Sequence, residues 1–418
     1  MTRRGWITLI CATVLLVPAA WWLLDTRLGG VAARLDRDGS GVLERDEVGP
    51  LAARRFAQVD RDGSDTVDGV EFRRWILRQW WQGRTGALRV PAEPAVASPA
   101  ALREWIDGPV RRGELDGVAV ILLRDGEVVF RHAAGDLDPA VAVPLADATT
   151  WVTAATFACL EERGELDLDA PLAAAEVGLP PRFDGLSLGA MLAHGAGTPA
   201  DQVLALDPAT SNAVAARILA DTMPPAVGPP AFRYGAVSMQ IAAAVAERLT
   251  GRAWRRLFVE CLSWPLSLDS AAWGHPLAGP SRRGLAHLGA GLHMSLDDYG
   301  AFLAMLQQGG RYDGVQNLSA ATVTAMFRDR LGTLPRDAVP AFADPAWHYA
   351  LGAWCEAVDA AGGCTRLNAA GAFGAFPWLD RTTGVGGMIL TVDALPRVRA
   401  WVLATRALGE RVQATAAP

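Results

Sequence analysis

The sequence predicts an α+β protein, one large mixed domain behind a small all-α module and a single N-terminal transmembrane helix. Three observations carry this. An uncharged run from Trp6 to Leu24 stands near the start, and a twelve-residue acidic pattern follows twice, beginning at Asp36 and at Asp60. From residue 99 onward, strand-like and helix-like periodicities alternate over roughly 300 residues, enough to bury a sizeable core.

The first element is the apolar run. Arg3 and Arg4 precede it and Asp25 ends it. Nineteen residues at about 1.5 Å rise span roughly 29 Å, one hydrocarbon thickness. The two arginines hold the short N-terminus inside, which places the bulk of the chain in the extracytoplasmic space, periplasmic or extracellular. An uncleaved anchor over residues 1–27 is expected. Pro18-Ala19-Ala20 keeps a cleaved signal peptide as the alternative, although the apolar run continues past it through Trp21-Trp22-Leu23-Leu24.

The second element, residues 31–82, holds the repeat. In the first copy oxygen-bearing residues fall at positions 1, 3, 5, 9 and 12: Asp36, Asp38, Ser40, Glu44 and Glu47. Gly41 stands at position 6, and the main-chain carbonyl of Val42 is the position-7 donor. The second copy reads Asp60, Asp62, Ser64, Thr66, Asp68 and Glu71, with Asp65 in place of the glycine. This is the spacing of the EF-hand loop, which turns oxygens inward around one Ca2+ and closes the set with a bidentate glutamate. Two loops beginning 24 residues apart argue against chance acidic turns. The second should bind more weakly, because aspartate tolerates the left-handed turn less well than glycine. Leu43 and Val67 should pair between the loops, and one helix, about Val48 to Val59, must serve both. Phe72, Trp75, Ile76 and Trp80 then share a helical face, read as core.

A linker over 83–98, with Pro91 and Pro94, loses all periodicity before the large domain over 99–412. The net charge of −6 gives no reason to expect nucleic acid as a partner. Beyond a membrane thiols can oxidise, so Cys355 and Cys364, flanking an Ala-Gly-rich turn, are expected to bond. Cys159 and Cys261 lie in helical apolar patterns and are read as buried free thiols.

The large domain opens with Val118-Ala119-Val120-Ile121-Leu122-Leu123, a turn at Arg124-Asp125-Gly126, and Glu127-Val128-Val129-Phe130, a strand hairpin. Further on come Leu160-Glu161-Glu162-Arg163-Gly164-Glu165-Leu166, then Met191-Leu192-Ala193-His194-Gly195-Ala196-Gly197. Gly291-Leu292-His293-Met294-Ser295, Gly309-Gly310-Arg311-Tyr312-Asp313-Gly314 and Gly371-Ala372-Phe373-Gly374 follow. In this order, and over nearly all of 99–395, these segments resemble the serine β-lactamase, penicillin-binding protein and class C esterase family. The resemblance implies an antiparallel sheet flanked by helices, with an all-helical insert.

It also implies a chemistry that the residues contradict. The family's Ser-x-x-Lys motif supplies a serine nucleophile and an amine that eases its deprotonation. This chain has no lysine at all; its 39 basic residues are arginines, and a guanidinium does not shed its proton. Counting back from Gly164 puts Asp147 at the serine position and Thr150 at the lysine position. The second motif becomes Tyr234-Gly235-Ala236, keeping the tyrosine and losing the asparagine, and Ala369 takes the third-motif position before Gly371.

The expectation is therefore a membrane-anchored calcium-binding protein whose β-lactamase-like domain is catalytically degenerate. Its cleft would hold a peptidoglycan peptide or a protein partner. One alternative is an active hydrolase with displaced residues, Asp147 as carboxylate nucleophile beside Tyr234, or Thr149 as a displaced hydroxyl. Another is a calcium sensor on an inert scaffold. His194 reads as a structural histidine, and an Asp147–Tyr234 hydrogen bond as a brace of the cleft floor.

Overall fold

The computed structural model describes residues 36, 38–45, 47, 56–60, 62–68, 70, 71, 74, 86–200, 206, 209–222, 230–276 and 279–415. The chain divides into two compact units, Met1–Trp81 and Gln82–Pro418. The predicted anchor and the aromatic stripe Phe72, Trp75, Ile76 and Trp80 lie outside the described residues, as does most of the helix expected from Val48, of which Phe56–Val59 is described. No helix among the described residues is long and apolar enough to cross a membrane.

In the first unit, Val42–Leu43 and Val67–Asp68 form a two-stranded antiparallel pair with Leu43 opposite Val67. Both side chains are buried, with Phe56 and Val59.

The second unit is built on a seven-stranded antiparallel sheet. Helix α1 (Pro99–Arg111) leads into strands β1 (Gly117–Arg124) and β2 (Glu127–Gly135). Helix α2 (Thr149–Glu162) follows, then α3 (Asn212–Thr222), α4 (Val237–Thr250) and α5 (Leu296–Gln307). The chain returns through β3 (His348–Tyr349), β4 (Trp354–Val358), β5 (Cys364–Asn368), β6 (Ala375–Asp380) and β7 (Val385–Leu390), and ends in α6 (Leu395–Thr415). The strand order is β3-β4-β5-β6-β7-β1-β2.

Strand β1 is apolar nearly throughout because both of its faces are covered. Val118, Val120 and Leu122 join a core with Trp105 and Ile106 of α1 and Val398, Trp401 and Val402 of α6. Ile121 points the other way, toward α5, where a β-carbon on Gly300 would stand 2.7 Å from its Cδ1. A side chain at 300 would make the end of Ile121 shift. Ser98 caps α1 through the Ala101 N–H at 3.2 Å, which fixes where the helix starts. Within the stretch read as a linker, Leu88 is buried in the same core and donates its N–H to the Arg397 carbonyl at 2.8 Å.

The helical insert is not purely helical. Phe232–Arg233 pairs in parallel with Arg336–Ala338, and Val143–Pro144, Leu292–Met294, Ala272–His275 and Gly279–Pro280 make a small four-stranded sheet. Of these short strands only the Arg336–Ala338 one reaches the cleft, through Ala338, while Tyr234 and Pro276, which follow two others, also line it.

Two disulfides are present among the described residues. Cys355–Cys364 bridges neighbouring strands β4 and β5, as the turn between them led us to expect. Cys159–Cys261 corrects the reading of both residues as free thiols. It ties the last turn of α2 to a single π-helical turn, Val259–Ser263. An apolar helical pattern looks the same around a thiol and a half-cystine, and the partners lie 102 residues apart, so no local signal existed.

Candidate functional site

The cleft forms where α2 begins. Ala146–Ala148 makes a tight turn into the helix, with Ala146 at φ 48°, and projects Asp147 into a cavity of about 440 Å3. Gly371 lets the strand segment opposite come this close. A β-carbon there would lie 2.1 Å from the Leu145 carbonyl oxygen. The approach places the Ala372 N–H 3.1 Å from Asp147 Oδ2, to which it donates. On the other side the Tyr234 hydroxyl donates to Asp147 Oδ1 at 3.4 Å. The hydrogen bond anticipated between these two side chains is present, and it is long.

Tyr234 follows the Phe232–Arg233 strand and stacks on Trp354, ring centroids 5.0 Å apart. Burial first, and the Asp147 charge second, push its hydroxyl well above the usual tyrosine range. It stays protonated and serves as a donor. Ala236 lines the same cavity, and Gly289 packs against it, where a β-carbon would come within 2.4 Å of the Ala236 Cβ.

Thr150 is not in the cavity. It is 3 % exposed, and its hydroxyl lies 2.7 Å from the Gly352 carbonyl and 2.8 Å from that of Asp147. Thr149 is fully buried, its Oγ1 accepting the Leu292 N–H at 3.2 Å. Ala369 is buried in the sheet, its N–H donating to the Pro377 carbonyl, while Ala372 borders the cavity instead. Of the five motif positions, the fold therefore brings Asp147, Tyr234 and Ala236 to one surface and leaves Thr150 and Ala369 behind it.

His194 packs beneath the floor. Its Nε2 is 3.1 Å from the Tyr349 hydroxyl, and its ring lies 4.6 Å from that of Tyr234 between centroids. Burial lowers its pKa to about 3, so it is neutral at physiological pH. Burial also raises the Tyr349 hydroxyl far above its ordinary range. His287, Phe342 and Phe373 complete much of the wall. Phe373 belongs to the Gly371-Ala372-Phe373-Gly374 segment, whereas no motif in the sequence marked His287 or Phe342; the three arrive from separate loops.

In the first unit the two loops repeat one geometry. The Ser40 and Gly41 N–H groups donate to the Asp36 carboxylate at 3.0 and 2.8 Å, and those of Ser64 and Asp65 to Asp60 at 3.1 and 2.9 Å. Gly41 has φ 85° and Asp65 φ 60°. Carboxylate oxygens of Asp36, Asp38 and Glu47 lie within 4.8 Å of one another, as do those of Asp60, Asp62 and Glu71. The Ser40 hydroxyl lies 3.1 Å from the Val42 carbonyl, and the Ser64 hydroxyl 3.2 Å from that of Thr66, so each position-7 carbonyl turns toward its loop's oxygens. Glu44 and Asp68 each donate a backbone N–H to the closing glutamate at 3.2 Å. Proximity of Glu47 raises the Glu44 carboxyl above its usual range. Such an oxygen-only, crowded acidic set fits a hard cation.

A large antiparallel sheet, helices on both faces, a helical insert and a cleft at the head of a buried helix define the fold of the penicillin-recognising serine hydrolases. The beta-lactamase family model matches residues 102–407, and the chain belongs to this family. Solved structures agree. A candidate beta-lactamase from Bacteroides dorei DSM 17855 superposes with a TM-score of 0.62 at 26% identity, covering 71% of this chain and 91% of that one. A penicillin-binding protein homolog from Caulobacter crescentus gives 0.56 at 20% identity, over 75% and 99% of the two chains. The hydrolase EstCE1, which has promiscuous acyltransferase activity, gives 0.56 at 17%, over 73% and 97%. The last two matches speak to fold alone. No curated protein sequence matches the chain.

Proposed function

We propose that this is a membrane-anchored, extracytoplasmic, calcium-binding protein whose hydrolase-fold domain binds a ligand without turning it over. The observation that carries the reading is the state of the α2 head. Asp147 replaces the expected hydroxyl nucleophile, and the Ala372 N–H that points into the cleft already donates to its carboxylate. Acyl transfer needs an activated nucleophile, a group able to take its proton, and donors left for the oxyanion. Thr150, at the lysine position, offers no base, and Tyr234 and Tyr349 both hold their protons.

The remaining parts have independent support. The two disulfides suit an oxidising compartment. The Trp6 to Leu24 run behind Arg3 and Arg4 supplies an anchor of bilayer length. The paired loops supply calcium sites through Asp36, Asp38, Ser40, Val42, Glu44 and Glu47, and through Asp60, Asp62, Ser64, Thr66, Asp68 and Glu71. Calcium bound there neutralises crowded carboxylates and so stabilises the small module.

A second reading, a hydrolase rebuilt around Asp147, draws on one observation: that carboxylate faces the cavity beside Tyr234. The displaced-hydroxyl version finds no such support, because Thr149 is sealed in the core. Labelling separates the readings. The wild-type protein should take up no penicillin or fluorophosphonate label and release no product from short-chain esters. Turnover that vanishes in Asp147→Ala or Tyr234→Phe overturns the non-catalytic assignment.

A further inference from the structure

We propose that the cleft selects small molecules carrying an ammonium group on an apolar body. The inference deepens the ligand-binding reading above and rests on it.

Charge is the first consideration. Asp147 is the only acidic or basic residue among the described residues lining the cavity, apart from one histidine. It sits half-buried at the head of α2, and the field of its carboxylate reaches both Tyr234 and Tyr349. A carboxylate among apolar walls, with no Arg or Lys among the described lining residues, makes a region of negative potential at the cleft. An anionic ligand meets repulsion there and a cation meets attraction.

The walls set the rest of the ligand. Ala236, Pro276, Val339, Pro340, Phe342 and Phe373 present carbon to the cavity. Their burial on binding favours an aliphatic or aromatic body, and a volume of about 440 Å3 lies within the usual range of small-molecule pockets.

His287 is an independent pointer. It borders the cavity, is 1 % exposed, and neither of its ring nitrogens has a hydrogen-bond partner. Burial and the nearby His275 keep the ring neutral, its pKa lowered to about 3, so one nitrogen is an acceptor. A buried polar side chain without a partner costs stability unless something else completes it. An ammonium has three protons to give: Asp147 takes one with charge assistance, and a neutral imidazole can take another.

The test uses the full chain with calcium present and three probes of one skeleton: 4-phenylbutylamine, 4-phenylbutanol and 4-phenylbutyrate. Calorimetric titration should give the amine at least about tenfold tighter binding than the alcohol, the worth of a charge-assisted hydrogen bond, with the carboxylate weakest. Asp147→Asn should abolish the preference of amine over alcohol. Should that variant fail to fold, the wild type still decides, because raising the salt must weaken the amine and leave the alcohol unchanged. Carboxylate binding as tightly as amine, equal affinities for all three probes, or no binding by any of them overturns the inference. Penicillin and ester assays on the same samples keep the two readings apart. Turnover defeats the non-catalytic function, whereas a wrong affinity order with no turnover defeats only the ligand class.

Discussion

Removing the Cys159–Cys261 bridge should be among the costliest single lesions in this domain. The bond closes a loop spanning 102 residues that contains the whole helical insert from the end of α2 to the π-helical turn. Cross-linking removes loop entropy from the unfolded chain, and the standard relation gives about 4.7 kcal/mol for a loop of about a hundred residues. The Cys355–Cys364 bond spans only nine, for which the same relation gives about 2.6 kcal/mol. Unfolding entropy of roughly 2.1 cal/mol/K per residue makes about 0.7 kcal/mol/K for the second unit's roughly 340 residues. Cys159→Ala with Cys261→Ala should then lower the melting temperature by about 7 °C, and the Cys355, Cys364 pair by about 4 °C. Alanine is the right replacement, since Cys159 and Cys261 are 2 % and 1 % exposed and a serine hydroxyl would be buried there. Thermal melts of oxidised protein, with free thiols counted beforehand, provide the measurement. If the long-loop variant melts no lower than the short-loop one, loop entropy is not what this bond contributes.

Three further outcomes are expected. Calcium titration should find up to two sites, the first tighter because Gly41 takes a positive φ at less cost than Asp65; uptake that survives Glu47→Ala with Glu71→Ala refutes the assignment. Acid should destabilise the second unit: burial depresses His194 and His287 to about 3 and His293 to about 4, so the unfolded chain binds more protons below about pH 6.5. The stability held by these neutral rings is complete above that pH and is lost as pH falls toward 3–4, by up to about 1.4 kcal/mol per pH unit for each histidine; a urea midpoint flat between pH 7 and pH 5 contradicts this. Gly371→Ala should cost about 1–3 kcal/mol through its collision with the Leu145 carbonyl and draw the Ala372 N–H away from Asp147; an unchanged melt would mean the close approach is not needed.

Much of this protein is written locally. The apolar run of β1, the Asp125-Gly126 turn and the strand-like stretch after it marked the opening hairpin, because β1 is covered on both faces and so is apolar nearly throughout, while β2 lies at the sheet edge and is largely exposed. The spacing of oxygens from Asp36 to Glu47 and from Asp60 to Glu71 gave two loops whose carboxylates do converge, since a twelve-residue turn dictates its own geometry. Adjacency along a turn between strands gave Cys355–Cys364. Motif order gave the positions of Asp147 and Tyr234 on one cleft, and the loss of lysine was visible without any coordinates.

Tertiary structure decided what depends on distant segments meeting. Cys159 finds Cys261 only after the insert folds back on α2, and nothing near either residue signals that. The Ala372 N–H reaches Asp147 from 225 residues away, through a contact that Gly371 permits. His287 and Phe342 gain meaning only as walls of the same cavity, and Thr150 loses its place in it because its hydroxyl turns back to the Gly352 carbonyl. Hydrophobic period and loop spacing are properties of neighbours in the chain. Which side chains share a cavity, and which polar atoms find partners there, is fixed by packing between elements that the sequence lists far apart.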